Sequence, residues 1–186
     1  SEALIRANAL RVETTHGALL AGTNTVNSLG AVNSASGDVA FNNASALLTV
    51  TGIDQVPQGA LSLNQAGNLL VTGDVTSGAQ AISATGDITI TQGDGPGLTV
   101  MANGAQSFSA GGSFSLLGGT AWNGFAQSIA TGALQVSTGG NLTVQGGSGF
   151  LAYSLLYGGD EVRLTVGNEL HVNGGASPFA FGRVQT

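Results

Sequence analysis

The 186-residue sequence contains no cysteine and no lysine. Without a thiol there is no disulfide, no thiolate nucleophile and no thiolate zinc site, and the redox compartment stays open. Positive charge is equally scarce, since four arginines face ten acids for a formal charge of −6 at pH 7. Between His16 and Asp160 there is no Lys, Arg or His at all. Such a chain lacks the electropositive surface that nucleic acid or an anionic membrane demands, so neither is expected as a partner. No apolar run approaches the roughly 20 residues of a membrane-spanning helix, and membrane insertion is not expected. Ser1-Glu2-Ala3-Leu4 is not the basic, apolar start of a signal peptide, so a signal for export would lie upstream. Amphipathic helices are not expected, because the 31 glycines interrupt nearly every window and the usual helix-surface residues are few.

What the chain has in quantity is small residues and repetition. Apolar residues make up 42% and mean hydropathy is +0.27, too hydrophobic for a disordered segment. An apolar-x-apolar triplet follows a glycine-containing turn at Leu10-Arg11-Val12, Val39-Ala40-Phe41, Leu69-Leu70-Val71, Ile88-Thr89-Ile90, Phe114-Ser115-Leu116, Leu142-Thr143-Val144 and Leu170-His171-Val172. The starts are 29, 30, 19, 26, 28 and 28 residues apart. Gly118-Gly119, Gly146-Gly147 and Gly174-Gly175 recur at one offset, and Gly78 to Gly86 matches Gly104 to Gly112 in six of nine places. Short alternating stretches bounded by turn residues read as strands. Repeats of this length, each with several short strands, predict an all-β fold, a right-handed parallel β-helix or solenoid of about seven rungs of 19–30 residues. The 19-residue step reads as a shortened rung that has lost a corner. Residues 1–186 read as a single β-helix segment, and with no capping element at either end they suit a fragment of a longer fibre.

The phrases Ser36-Gly-Asp-Val39, Thr85-Gly-Asp-Ile-Thr-Ile90, Gly140-Asn-Leu-Thr-Val144 and Gly167-Asn-Glu-Leu-His-Val172 resemble the rungs of filamentous-haemagglutinin-type exoproteins of bacterial two-partner secretion. Autotransporter passengers share them. The resemblance runs from about Ala9 to the end, and implies a β-helical shaft exported through an outer-membrane transporter, then secreted or displayed on the bacterial surface. The family's secretion domain carries Asn-Pro motifs, whereas Pro57, Pro96 and Pro178 never follow Asn here. The resemblance therefore implies shaft and not secretion signal, and carries over no functional residue.

Parallel β-helices also include polysaccharide lyases and hydrolases, which need acids converging on one groove. The residue before each triplet runs Ala9, Asp38, Asn68, Asp87, Ser113, Asn141, Glu169, so Asp38 and Asp87 are expected on one corner with a single rung between them, about 10 Å apart. Asp and Asn after Gly are turn formers, and corner chemistry is the better account of that column. Asp54, Asp74 and Asp94 fall at unrelated offsets. No catalytic residue is assigned, and an enzyme is not expected. His16 and His171 lie in different columns, and no repeated glycine-aspartate nonapeptide offers calcium sites, so no metal or other cofactor is assigned. The outward columns lack the stacked Thr-x-Thr face of an ice binder.

Aromatic residues carry the candidate site. Counted from the triplet starts, Phe125, Tyr153 and Phe181 share one column, and Trp122, Phe150 and Pro178 another. Stacked rings are expected to fill core in the Phe125 column. Trp122, in a glycine-rich loop, is placed to stack on a sugar ring. Ligand-binding candidates are therefore Trp122, Phe125, Phe150 and Tyr153. The sequence supports a structural and adhesive shaft segment, an adhesin piece whose partner is a host-cell receptor or glycan. Two other readings stay open, a carbohydrate-binding or carbohydrate-cleaving β-helix using the aromatic column and the stalk of a contact-dependent toxin.

Overall fold

The computed structural model describes residues 4–56 and 58–186, so Pro57 lies outside it. Every element in it is a strand, and the 19 strands join one sheet in which each pairing is parallel. Among the described residues no helix is long and apolar enough to cross a membrane. The chain coils as a parallel β-helix with three faces. Face I holds Asn68–Val71, Ile88–Thr91, Phe114–Leu117, Leu142–Gln145 and Leu170–Asn173. Face II holds Val75–Ser77, Leu98–Ala102, Ala126–Ala130, Ser154–Gly158 and Gly182–Gln185. Face III holds Val39–Asn43, Leu61–Gln65, Gln80–Ala84, Gln106–Ala110, Leu134–Thr138 and Val162–Val166. Near the N-terminus, Arg6–Thr14, Ala18–Asn33 and Leu47–Gln55 are long strands that run through the corner between faces I and II.

Alternation places the apolar residues inside. On face I the inward column reads Leu10, Leu29, Val50, Val71, Ile90, Leu116, Val144, Val172, which is eight levels. Successive members are 19, 21, 21, 19, 26, 28 and 28 residues apart. This corrects the sequence alignment at its start. Val39-Ala40-Phe41 belongs to face III, stacked on Leu61-Ser62-Leu63, and Leu10-Arg11-Val12 straddles the corner between faces I and II. The 19-residue step is thus the ordinary rung of the N-terminal half and not a defect. The later rungs lengthen because loops grow at the corner between faces I and II, from residues 72–74 to 92–97 and then to 118–125, 146–153 and 174–181.

Phe41, Phe108 and Phe114 are the largest fully buried side chains, and the rings of the last two pack with centroids 5.2 Å apart. Each fully buried side chain of this size contributes about 1.5–3 kcal/mol relative to exposure. Some inward positions are polar, and they pair with one another across rungs. Asn43 accepts from Val26 N–H (2.8 Å) and donates to Gln65 Oε1 (2.8 Å). Gln106 donates to Gln80 Oε1 and accepts from Ser128 Oγ, both at 2.7 Å. Buried amides would be costly alone, and the ladders satisfy those of Asn43, Gln80 and Gln106, whereas the Oε1 of buried Gln55 has no partner among the described residues.

The corner between faces III and I carries a second ladder, on the outside. Asn68 Oδ1 accepts from Asp87 N–H (2.9 Å), Asp87 Oδ1 from Ser113 N–H (2.7 Å), Ser113 Oγ from Asn141 N–H (3.2 Å), and Asn141 Oδ1 from Glu169 N–H (3.3 Å). Each short polar side chain caps the backbone of the next rung. Asp38 is not part of it. It precedes a face III strand, where its Oδ1 accepts from Ala60 N–H (2.8 Å), so the expected Asp38–Asp87 corner pair does not exist.

Candidate functional site

The loops between faces I and II in the last three rungs share one backbone design. Gly119 N–H donates to Gly124 O (2.5 Å), Gly147 N–H to Ala152 O (2.5 Å), and Gly175 N–H to Ala180 O, while Asn123, Leu151 and Phe179 turn the chain with φ of 58°, 58° and 61°. The loops nest backbone on backbone. A Cβ on Gly147 would meet Gly119 O at 2.0 Å, and one on Gly175 would meet Gly147 O at 1.8 Å. This explains the recurring glycine pairs, since any side chain there would push successive loops apart.

Nesting brings equivalent side chains into register, and the aromatic residues fall into two sets. Phe125, Tyr153 and Phe181 form a pile, with centroid separations of 5.1 Å and interplanar angles of 10° and 11°. The column is as the sequence places it, but its expected position in the core is wrong. Each of these residues immediately precedes a face II strand position that points inward, Ala126, Ser154 or Gly182, so alternation directs its ring outward. Phe125 and Tyr153 are half-buried, and the Phe125 ring lies over Gly97, where a Cβ would meet it at 2.1 Å. Burial pushes the Tyr153 phenol above its ordinary pKa. Its hydroxyl donates to Gln127 Oε1 (3.2 Å), whose amide donates to Thr99 Oγ1 (2.9 Å).

The second set sits further out on the loops. Trp122 meets Phe150 at 4.5 Å and 31°, and Phe150 meets Phe179 edge-on at 5.5 Å and 83°. Trp122 is 72% exposed and Phe179 63%. Column arithmetic put Pro178 in this position, but the neighbouring Phe179 supplies the ring. Phe179 shares its left-handed backbone with Asn123 and Leu151 at one common offset, so the loop design holds and only the residue that carries the ring moves by one place. The two sets differ in what they offer a ligand. In the pile each inner ring has its faces covered by its neighbours and shows solvent an edge, whereas Trp122 and Phe179 show solvent much of their surface. Of the four expected binding residues, Trp122 and Phe150 thus sit in the outer set, and Phe125 and Tyr153 in the pile.

The remaining candidate groups have local partners. His16 Nδ1 lies 2.7 Å from Thr15 Oγ1, and His171 Nε2 lies 3.1 Å from Glu169 Oε2. Asp94 Oδ1 accepts from Thr120 Oγ1 on the next loop. Among the described residues no three His, Asp or Glu side chains converge as a metal site would require. One juxtaposition escaped the sequence offsets. Asp54 and Asp74 come onto neighbouring rungs of face II, because the long strand Leu47–Gln55 turns the corner without a loop and sets its register there. Comparison with known proteins finds no matching family model, no matching curated protein and no matching solved structure.

Proposed function

We propose that this chain is a structural and adhesive shaft segment of a secreted or surface-displayed bacterial exoprotein, with its own contact surface at the aromatic loop tips. The observation that carries the reading is the projection of Trp122, Phe150 and Phe179 from nested loops on an otherwise continuous rod. In-register parallel ladders on three faces and an uninterrupted apolar core favour stiffness, the property a shaft requires. Exposed aromatic rings suit a glycan or receptor surface, because they offer large contact area at small entropic cost. The reading is non-catalytic, and the dispersal of Asp38 and Asp87 to separate hydrogen-bonding roles supports it. The resemblance to two-partner secretion exoproteins supplies the proposed location and the outer-membrane transporter as partner during export.

The test is glycan-array and host-cell binding by the parent and by Trp122→Ala. Loss of the indole is expected to weaken binding by about 2 kcal/mol while leaving thermal unfolding nearly unchanged, as truncation of an exposed aromatic anchor does. Binding should vary little with salt, since the loop tips carry no ion pair. Binding that survives Trp122→Ala unaltered would remove the contact surface from the proposal.

A further inference from the structure

The chain has seven Phe, two Tyr and one Trp, and Phe41, Phe108 and Phe114 are the rings that point into the core. The others lie outside the coil, on face II or beside it in the last rungs. The outer side of face II there carries three columns. The first is the pile of Phe125, Tyr153 and Phe181. The second reads Asp74, Thr99, Gln127, Leu155, Arg183, and the third Thr76, Met101, Ile129, Tyr157, Gln185. Alternation turns Met101, Ile129, Leu155 and Tyr157 outward, because the residues between them are buried. Face III shows the contrast, since on the same rungs its outward column reads Ser109 and Ser137. Large apolar side chains standing together on the outside of a sheet mark a contact surface.

The face is charged at its two ends and neutral between them. Asp74 closes one end. Arg183 closes the other, exposed and, among the described residues, without an ion partner. At the centre Gln127 is already engaged, accepting from the Tyr153 hydroxyl (3.2 Å) and donating to Thr99 Oγ1 (2.9 Å), so covering it strands no polar group. That engagement also leaves a sugar few groups to bond. A formal charge of −6 and a single arginine at the rim disfavour an anionic membrane.

We propose that this face pairs with the same face of a second copy, the two coils running antiparallel about a two-fold axis over Gln127. The axis exchanges the outer columns and reverses the order of rungs. It sets Phe125 against Ile129 of the partner subunit, Tyr153 against Met101 of the partner subunit and Arg183 against Asp74 of the partner subunit, each contact made twice. Apolar meets apolar in the middle, and each end charge meets its opposite. From Asp74 to Arg183 the face covers about 19 Å, and across its columns about 13 Å; with side-chain girth a pair buries roughly 1,000 Å², the size of a weak specific interface. The proposal does not rest on the adhesive reading, because Trp122, Phe150 and Phe179 stand on the loop tips, off this face.

The experiment is sedimentation velocity of the full chain from micromolar to near-millimolar concentration, where a concentration-dependent dimer is expected. Ile129→Asp should abolish the dimer and leave thermal unfolding near that of the parent, since position 129 faces outward. Arg183→Asp and Asp74→Arg should each weaken the dimer by about tenfold or more, because each sets like charges together twice. An equimolar mixture of these two variants should recover it, as every like pair then becomes an opposite pair. The mixture keeps the proposal open to test should Ile129→Asp unfold. Trp122→Ala should dimerise as the parent does. A parent that stays monomeric throughout, a folded Ile129→Asp protein that dimerises like the parent, a mixture no better than its components, or loss of the dimer on Trp122→Ala would each overturn the proposal. A monomeric parent that floats with phosphatidylcholine vesicles would overturn it too, and give the face to a lipid surface.

Discussion

Phe114 and Phe125 show how much a single residue's worth depends on which side of the strand it occupies. Phe114 is fully buried against the Phe108 ring, whereas Phe125 lies half-buried between Gly97 and Tyr153 on the outside. Phe114→Ala is expected to cost about 3–5 kcal/mol through lost burial and a cavity. Phe125→Ala should cost only about 1–2 kcal/mol, mostly one stacking contact and partial burial. Urea unfolding of both variants measures the difference, and equal costs would restore the Phe125 column to the core. Tyr153 offers a second residue-level test. Its pKa is raised in the folded protein, so the folded state favours the neutral phenol. That contribution is complete below the unfolded phenol's value, near pH 10, and is lost as pH rises through the folded value. The stability of the parent should therefore fall faster above about pH 10 than that of Tyr153→Phe. Coincident pH profiles would show that burial of the hydroxyl has no energetic effect.

At the level of the element, the corner between faces I and II decides what the sequence could reveal. In the C-terminal half it is built from loops with glycine pairs, whose nesting forces an equal spacing that is plain in the sequence. In the N-terminal half, Ala18–Asn33 enters face I as an unbroken strand with no turn, and Leu48-Thr49-Val50, the equivalent of Leu69-Leu70-Val71, follows a turn at Ser45-Ala46 that holds no glycine, so neither level carries the glycine signal. Turn chemistry therefore misdirected the alignment to Val39, which does follow a turn, but on another face. The aromatic columns were legible for the same reason as the loops. Their outward direction was not, because the residue next to a strand end can be assigned a side only once the strand's own start is known. Nesting also gives a contrast between glycines. Gly147→Ala, where the Cβ would lie 2.0 Å from Gly119 O, is expected to cost about 1–3 kcal/mol, as forced overpacking does. Gly104→Ala, with its nearest atom at 3.6 Å, should change stability far less. Thermal unfolding of the pair distinguishes steric nesting from a general intolerance of alanine.

For the whole molecule, the rod is uniform in its interior and graded on its surface. The same inward columns run its length, but the corner between faces I and II changes from bare strand, to short loop, to a fin of nested loops carrying the large rings. The bare part presents Arg11, Asp54 and Asp74 and the finned part the large rings, so two unlike surfaces occupy one edge of the shaft. The gradient has an optical corollary. Trp122 is the sole tryptophan, it stands in the fin with most of its surface in water, and its nearest aromatic neighbour is Phe150. Its emission belongs to a solvated indole even in the native protein, and its intensity and quenching report on loops 118–125 and 146–153 alone. A fluorescence melt thus follows the edge of the molecule, while the circular dichroism of the parallel ladders follows its body. Any interval between the two transitions measures how far the fin can loosen before the coil does.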